Sequence, residues 1–173
     1  SIGERGNMSG EAKSRSNIHI PGVQEELVQA LQATGKPVVV LINAGRPLVF
    51  NQTADTAQTI LYTWWLGTEA GNAIADVLFG DHNPAGRLPI TYYNNIGELP
   101  AMNDYDISKG RTYQYFRGKP LYAFGHGLSY TAFEYSNLAI QQTDKSLHVG
   151  FTLKNAGSFD GDEVAQVYVK LPA

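Results

Sequence analysis

The sequence predicts an α/β domain built on a parallel sheet, followed by the first strands of an all-β, immunoglobulin-like sandwich. Residues 38–42 form a β-branched, apolar run that is hydrophobic on both faces, as expected for a buried parallel strand. Strand-like and helix-like patterns alternate around it, which is typical of a parallel sheet covered by helices. Near the end of the chain, strand-like runs follow one another with turn residues between them, which indicates a β-sandwich.

The first predicted element is a helix that follows a polar loop. Residues 1–20 are rich in glycine and serine and read as a loop. Pro21 suits the first position of a helix, and the acidic Glu25 and Glu26 suit its early turns. Gly35 is the expected helix end. Four apolar residues recur at helical spacing between these limits: Val23, Leu27, Ala30 and Leu31.

A strand, a turn, a second strand and a second helix come next. The run at 38–42 is the first strand, and residues 43–47 (Asn-Ala-Gly-Arg-Pro) form the turn at its carboxyl end. Residues 59–65 (Thr-Ile-Leu-Tyr-Thr-Trp-Trp) are predicted as another buried strand. Thr68 can cap a helix that continues as far as Gly80. The inner side of this helix is expected to carry Ala70, Ala73, Ile74, Val77 and Leu78.

The alternation stops after the second helix. Residues 87–93 read as a short extended piece, and residues 94–120 as a long irregular stretch rich in tyrosine, of the kind that is often functional. We assign residues 1–130 to a partial α/β sandwich domain and residues 131–173 to an incomplete all-β domain. The strands predicted for the second part are residues 136–142, 147–155 and 163–170.

The composition describes a globular protein and argues against several classes of function. Of the 173 residues, 43% are hydrophobic and 17% are charged. The net charge of -3 and the scattered lysines and arginines give no reason to expect nucleic acid as a partner. The chain has no cysteine, which removes thiolate nucleophiles and cysteine-bound zinc. The four histidines show no metal-ligand spacing, so we expect neither a metal nor a cofactor: His19, His82, His126 and His148.

Both ends of the chain suggest a piece of a longer protein. There is no initiator methionine, and residues 1–4 (Ser-Ile-Gly-Glu) read as the end of a strand. Residues 167–173 likewise stop inside or just after a strand. No apolar run approaches the ~20 residues that span a membrane, and no signal peptide is visible. We therefore expect a fragment with no membrane partner. Separately, we expect the protein to be located outside the cytoplasm, either periplasmic or secreted.

Glu11 is the candidate catalytic residue. It lies in a small, flexible, hydroxyl-bearing stretch, residues 9–15 (Ser-Gly-Glu-Ala-Lys-Ser-Arg), just before the first helix. A carboxyl group on such a loop can reach over a cleft and exchange protons with a bound substrate. The alternative is a solvated loop residue with no role. Glu4, seven residues earlier, is expected to form a structural salt bridge with a loop cation, and Arg15 is a candidate loop anchor.

Two other patterns have weaker functional interpretations. Residues 67–71 (Gly-Thr-Glu-Ala-Gly) open a helix after a strand and could bind an anion, although ordinary helix packing explains them as well. They match neither the dinucleotide fingerprint nor a phosphate loop, which argues against a flavodoxin-like nucleotide-binding module. Ser129 lies near His126, but the surrounding residues lack the nucleophile-elbow pattern of serine hydrolases.

Four blocks of sequence resemble glycoside hydrolase family 3, the β-glucosidase and β-xylosidase group. Together they cover most of residues 1–135. The blocks are residues 3–4 with 9–15 and 20–27, residues 45–47, residues 65–89, and residues 110–113 with 124–130. Residues 155–169 look like the start of the fibronectin type III domain that often follows in this family.

The resemblance implies a retaining exo-β-glycosidase that removes terminal glucose or xylose from β-linked oligosaccharides. In such enzymes a barrel domain of the same protein carries an Asp nucleophile, and the α/β sandwich lends an acid/base glutamate, whose position Glu11 matches. The chain would then be inactive alone, and its partners would be that barrel domain and an oligosaccharide substrate. A non-catalytic carbohydrate-binding or scaffold protein remains the alternative, and an upstream catalytic Asp would separate the two.

Overall fold

The computed structural model describes residues 1–170, which form two compact units. The first unit comprises Ser1–Ile74 and Leu88–His126, and the second comprises Ala75–Arg87 together with the chain from Gly127 onward. Within residues 1–170, no helix has both the length and the apolar character needed to cross a bilayer.

The first unit is built on a three-stranded parallel sheet in the order β1-β2-β3. Ile2 lies opposite Ile42, and Val39 lies opposite Thr59. All three strands run in the same direction, so their carboxyl ends meet at one edge of the sheet. This topology confirms the predicted parallel α/β fold. The elements alternate along the chain as β1 (Ile2–Gly3), α1 (Gln24–Gln32), β2 (Val39–Asn43), α2 (Asn51–Thr56) and β3 (Thr59–Tyr62).

The core of this unit is centred on β2. Val40 and Ile42 are 2% and 0% exposed, and they belong to one buried cluster with Val28 of α1 and with Phe50. Each fully buried side chain of this size stabilises the fold by about 1.5–3 kcal/mol. The ring of Phe50 also packs edge-on against Tyr92, with 6.2 Å between the ring centroids. The predicted strand is thus in place, although Val39 at its start is 44% exposed.

Helix α1 begins three residues later than predicted and packs through a different stripe of side chains. Gly22 has a positive φ of 67°, so the helix cannot extend back to Pro21. The packed stripe contains the buried Val28 and also Glu25, whose carboxylate accepts hydrogen bonds from the amide and hydroxyl of Thr53 at 2.9 Å. The aliphatic residues used to predict the helix lie on another stripe and are largely exposed: Val23, Leu27, Ala30 and Leu31. The predicted end is confirmed, because Gly35 closes the last turn with a φ of 72°.

Strand β3 is shorter and less buried than predicted. It ends at Tyr62, and its residues are half-buried or exposed. Trp64 has a positive φ of 52°, which turns the backbone out of the extended conformation and excludes Trp64 and Trp65 from the strand.

The second predicted helix is present as α3 (Ala70–Phe79). Thr68 does not cap it, because it lies inside a short 3-10 turn, Gly67–Glu69, that precedes the helix. The expected inner side is wrong for Ala73 and Leu78, which are exposed. Gly80 ends the helix as predicted, with a φ of 87°.

The irregular stretch in the first unit contains little regular structure, as predicted. Two short helices interrupt it, a 3-10 turn at Ile96–Glu98 and α4 (Thr112–Tyr115). The extended piece before it pairs with the chain that follows it, because the Tyr92 amide donates to the Tyr122 carbonyl at 2.9 Å.

The second unit contains a two-stranded antiparallel sheet. Its strands are β4 (Phe133–Gln142) and β5 (Leu147–Asn155), which confirms two of the predicted runs and extends the first by three residues. The third predicted strand is wrong, because residues 163–170 join neither described sheet. Residues 171–173 lie outside the described part of the chain. The complete sandwich and its fibronectin type III character therefore stay predictions.

Candidate active site

The carboxyl ends of β1 and β2 bring two charged residues together. Glu4 directly follows β1, and its amide continues the sheet ladder by donating to the Asn43 carbonyl at 2.9 Å. Arg46 follows β2 after a short turn. In open α/β sheets this edge is where ligands bind, so the cluster lies at a favourable place for a functional site.

Glu4 is held between two guanidinium groups. Its side chain is 0% exposed, Arg15 contacts one carboxylate oxygen through Nη1, and Arg46 Nε lies 3.1 Å from the carboxylate. A buried carboxylate is stable only when it is paired in this way. The structure confirms the salt-bridge role predicted for Glu4 and the anchoring role predicted for Arg15.

Arg46 also binds the loop that carries Glu11. Its Nη2 atom donates to the carbonyl of Met8 at 2.5 Å and to the carbonyl of Lys13 at 2.8 Å. The planar guanidinium suits this arrangement, because it presents several N–H donors in a rigid fork. The sequence predicted only a turn at Arg46. The sequence feature that could have indicated a functional role for Arg46 is its position just beyond the carboxyl end of a buried strand.

Glu11 lies at the tip of this loop with its side chain exposed. A turn encloses it, in which the Lys13 amide donates to the Gly10 carbonyl at 3.2 Å. Gly10 and Ala12, on either side, have positive φ angles of 118° and 56°. Among residues 1–170, no side chain forms a hydrogen bond or ion pair with the Glu11 carboxylate. Glu11 therefore presents an unpaired acid on a loop whose two ends are anchored.

Trp65 contributes an exposed aromatic surface near the same loop. Gly45 lies between the side chains of Ser9 and Trp65, so that a Cβ atom built on Gly45 would be 2.0 Å from Ser9 Oγ and 2.6 Å from Trp65 Nε1. Trp65 is 48% exposed as a residue. The neighbouring Trp64 packs instead against the Tyr62 ring, with 5.0 Å between centroids. Of these two consecutive tryptophans, Trp65 is thus part of the surface and Trp64 packs against the core.

The tyrosine below Arg46 stays neutral. The Tyr62 hydroxyl donates to the Arg46 carbonyl, and burial raises the pKa of Tyr62 to about 12. Burial also raises the pKa of its neighbour Tyr92 well above the ordinary value. Tyr62 therefore supports the backbone of Arg46 as a protonated donor throughout the physiological pH range.

A depression of about 770 Å³ adjoins the Glu4 end of the site and does not include Glu11 in its lining. Glu4, Met8 and Gln24 are among the residues that line it. The Gln24 side chain accepts a hydrogen bond from the Gly3 amide at 2.9 Å and donates one to the Gly3 carbonyl at 3.0 Å. Glu4 is the acid in this lining, but its carboxylate is already paired with Arg15 and Arg46, so Glu11 stays the candidate acid.

The remaining candidates are structural or unsupported within the described residues. Ser129 Oγ donates to Asn83 Oδ1 at 2.9 Å. In the part of the chain that is described, no three His, Cys, Asp or Glu side chains are grouped as a metal site would require. Residues 67–71 form the 3-10 turn and the start of α3, and their anion-binding interpretation stays a prediction.

Comparisons with known proteins show which family the chain belongs to. Residues 1–130 match the family model for the glycosyl hydrolase family 3 C-terminal domain. The chain is 42% identical to a periplasmic β-glucosidase of Salmonella typhimurium and 38% identical to a β-xylosidase of Formosa agariphila, with 98% of the chain aligned in each case.

The structural comparison gives the same family. The crystal structure of a β-glucosidase from Kluyveromyces marxianus matches 90% of the chain and 20% of its own length, with a TM-score of 0.83 and 31% identity. The chain spans about a quarter of the length of the two sequence relatives, 24% in each case. The chain belongs to glycosyl hydrolase family 3, and its residues 1–130 correspond to the C-terminal domain of that family.

Proposed function

We propose that this chain supplies the acid/base carboxylate, Glu11, of a retaining exo-β-glycosidase that removes terminal β-linked glucose or xylose from oligosaccharides. One observation carries the proposal: the Glu11 carboxylate is exposed and unpaired on a loop that Arg46 anchors on both sides. Glu4, the other carboxylate in this segment, is committed to two arginines and has no exposed side-chain surface.

The proposed reaction has two steps. In the first, protonated Glu11 gives its proton to the glycosidic oxygen while an Asp nucleophile attacks the anomeric carbon, so that the sugar–oxygen bond breaks and a glycosyl-enzyme forms. In the second, ionised Glu11 removes a proton from water, which attacks the same carbon and releases the sugar and the Asp. Glu11 returns to its protonated form at the end of the cycle.

The nucleophile and most of the sugar pocket would come from a barrel domain of the same protein. In this proposal residues 1–130 are the second half of the C-terminal α/β sandwich domain, and residues 131–173 begin a fibronectin type III-like domain. The saccharide and the barrel surface would exclude water from the Glu11 loop, as acid catalysis near neutral pH requires. A location outside the cytoplasm is supported by the relative that is named as periplasmic.

The test is Glu11→Ala in the complete enzyme, with Glu26→Ala on the exposed surface of α1 as the matched control. We expect kcat/KM to fall by about 10²–10⁴-fold on disaccharides, whose leaving groups need a proton, and far less on aryl glycosides with good leaving groups. Azide should restore turnover of the aryl glycosides and yield a glycosyl azide of retained configuration. Unchanged kcat/KM on a disaccharide would contradict the assignment.

A non-catalytic carbohydrate-binding protein is the second candidate. The exposed indole of Trp65 is as compatible with this function as with catalysis, because the flat apolar face of tryptophan suits a sugar ring. Calorimetry with an oligosaccharide separates the two candidates. A binding protein would give a stable complex with no release of reducing sugar, and an enzyme would consume the ligand.

A further inference from the structure

We propose that Arg46 is a positioning residue that holds the Glu11 loop at the distance and orientation needed for proton transfer. This inference rests on the proposed acid/base role of Glu11. It goes further by assigning a catalytic consequence to a residue that cannot itself donate or accept the proton, because arginine stays charged at all working pH values.

The contacts of Arg46 bracket Glu11. Nη2 bonds the Met8 carbonyl, three residues before Glu11, and the Lys13 carbonyl, two residues after it. The one turn between these points is closed by backbone, through the Lys13 amide and the Gly10 carbonyl. A single guanidinium thus determines where both ends of the turn lie.

Arg46 is in turn tied to the sheet. Its Nε lies 3.1 Å from the buried carboxylate of Glu4, which directly follows β1. Its own carbonyl accepts the Tyr62 hydroxyl at the end of β3. Glu4 also holds Arg15, beyond the far end of the loop. Through Arg46, the loop that carries Glu11 is therefore bonded to residues at the ends of the sheet strands, which fixes the position of Glu11.

Such precision matters for proton transfer. A general acid must come within about 2.6–3.2 Å of the atom it protonates, and a displacement of about 1 Å costs roughly 100-fold in rate. Lysine at position 46 would keep the positive charge for Glu4, but it lacks the fork that reaches Glu4 and two carbonyls together. Arg46→Lys thus separates positioning from charge.

The experiment compares kcat/KM of the Arg46→Lys complete enzyme on a disaccharide and on an aryl glycoside with a good leaving group. Because kcat/KM reports only the steps up to bond cleavage, it depends on the acid for the first substrate and hardly for the second. We expect a 10–100-fold fall on the disaccharide and less than a threefold change on the aryl glycoside. Equal losses on both substrates would show a merely structural role and overturn the inference.

Arg111→Lys is the matched control. Arg111 also anchors a loop through backbone carbonyls, with Nε 3.1 Å from the Asp104 carbonyl oxygen and Nη2 2.8 Å from that of Ala101. It should leave the ratio of the two kcat/KM values unchanged. If Arg46→Lys gives no folded enzyme by its thermal unfolding profile, Glu4→Gln replaces it, with the same expectation and the same contradicting result.

A double-mutant cycle with Glu11→Ala separates this inference from the proposed function. If Arg46 acts through Glu11, adding Arg46→Lys to Glu11→Ala should cause no further loss on the disaccharide. The same loss in both backgrounds would overturn the inference and leave the role of Glu11 intact. Normal turnover by Glu11→Ala alone would instead refute the proposed function.

Discussion

Gly45 allows the Glu11 loop and Trp65 to approach each other, and Gly45→Ala should push them apart. The new methyl group would lie 2.0 Å from Ser9 Oγ, 2.9 Å from Ser9 Cβ and 2.6 Å from Trp65 Nε1. Ordinary van der Waals contact begins at 3.4 Å, so the Ser9 oxygen must retreat by about 1.4 Å and the indole nitrogen by about 0.8 Å. Rotation of the Ser9 hydroxyl alone cannot suffice, because its Cβ atom is also too close.

The energetic effect of this change follows from overpacking alone. Backbone strain does not enter, because Gly45 is not in the left-handed region. Overpacking of this kind costs about 1–3 kcal/mol. A shift of about 1 Å in the segment that carries Glu11 should also lower kcat/KM on disaccharides by roughly 100-fold.

Hydrogen exchange is the suitable assay, because local unfolding can be followed peptide by peptide in a large protein. We expect faster exchange in residues 5–15 of the Gly45→Ala enzyme, and partial recovery when Ser9→Gly is added. Gly71→Ala is the control, since no atom from outside its own helical backbone and its chain neighbours lies within 4 Å of its Cβ position in α3. The change should stabilise that helix by up to about 1 kcal/mol. Unchanged exchange and unchanged kcat/KM in Gly45→Ala would refute the steric reasoning.

Two further predictions concern stability. The folded state holds the Tyr62 proton more tightly than the unfolded chain, so its contribution, at most about 3 kcal/mol, is complete below pH 10 and is lost as the pH rises from 10 to about 12. Alkaline denaturation should show this loss in full in the native protein and in the exposed Tyr105→Phe control. Tyr62→Phe should show a smaller loss, because the buried Tyr92 also has a raised pKa and still titrates. In the second unit, Asn83→Ala should destabilise the segment that leads into β4 by about 1–2 kcal/mol, which limited proteolysis would detect. The control is Asn137→Gly, which removes one exposed hydrogen bond of 3.2 Å and suits the left-handed φ of 54° at that position, so it should have little effect. The Asn83 side chain bonds Ser129 Oγ, the Tyr130 amide and the Asp160 carbonyl, at 2.9, 2.8 and 3.0 Å.

The sheet was predictable because its central strand is apolar on both faces. A run such as residues 38–42 has few alternatives in a globular protein, and its parallel neighbours follow from the alternation of strands and helices. The pairing of Glu4 with Arg15 was also within reach, since the two residues lie in one short loop segment. Both inferences depend on local sequence alone.

The role of Arg46 could not be predicted in the same way. Its contacts with Glu4 and Met8 span 42 and 38 residues, and they depend on the register that places Ile2 beside Ile42. The prediction of which face of α1 is buried was wrong for a related reason. Helical spacing shows that an apolar stripe exists, but Val28 rather than Leu27 is buried because the rest of the unit decides which stripe is covered.

The two tryptophans of the chain give it a pair of built-in optical reporters. The indole of Trp65 is open to water beside Ser9, whereas that of Trp64 is packed against tyrosine rings. A soluble quencher such as iodide would therefore reduce the fluorescence of Trp65 strongly and that of Trp64 much less. A change at the Glu11 loop and unfolding of the core would then give separate fluorescence signals.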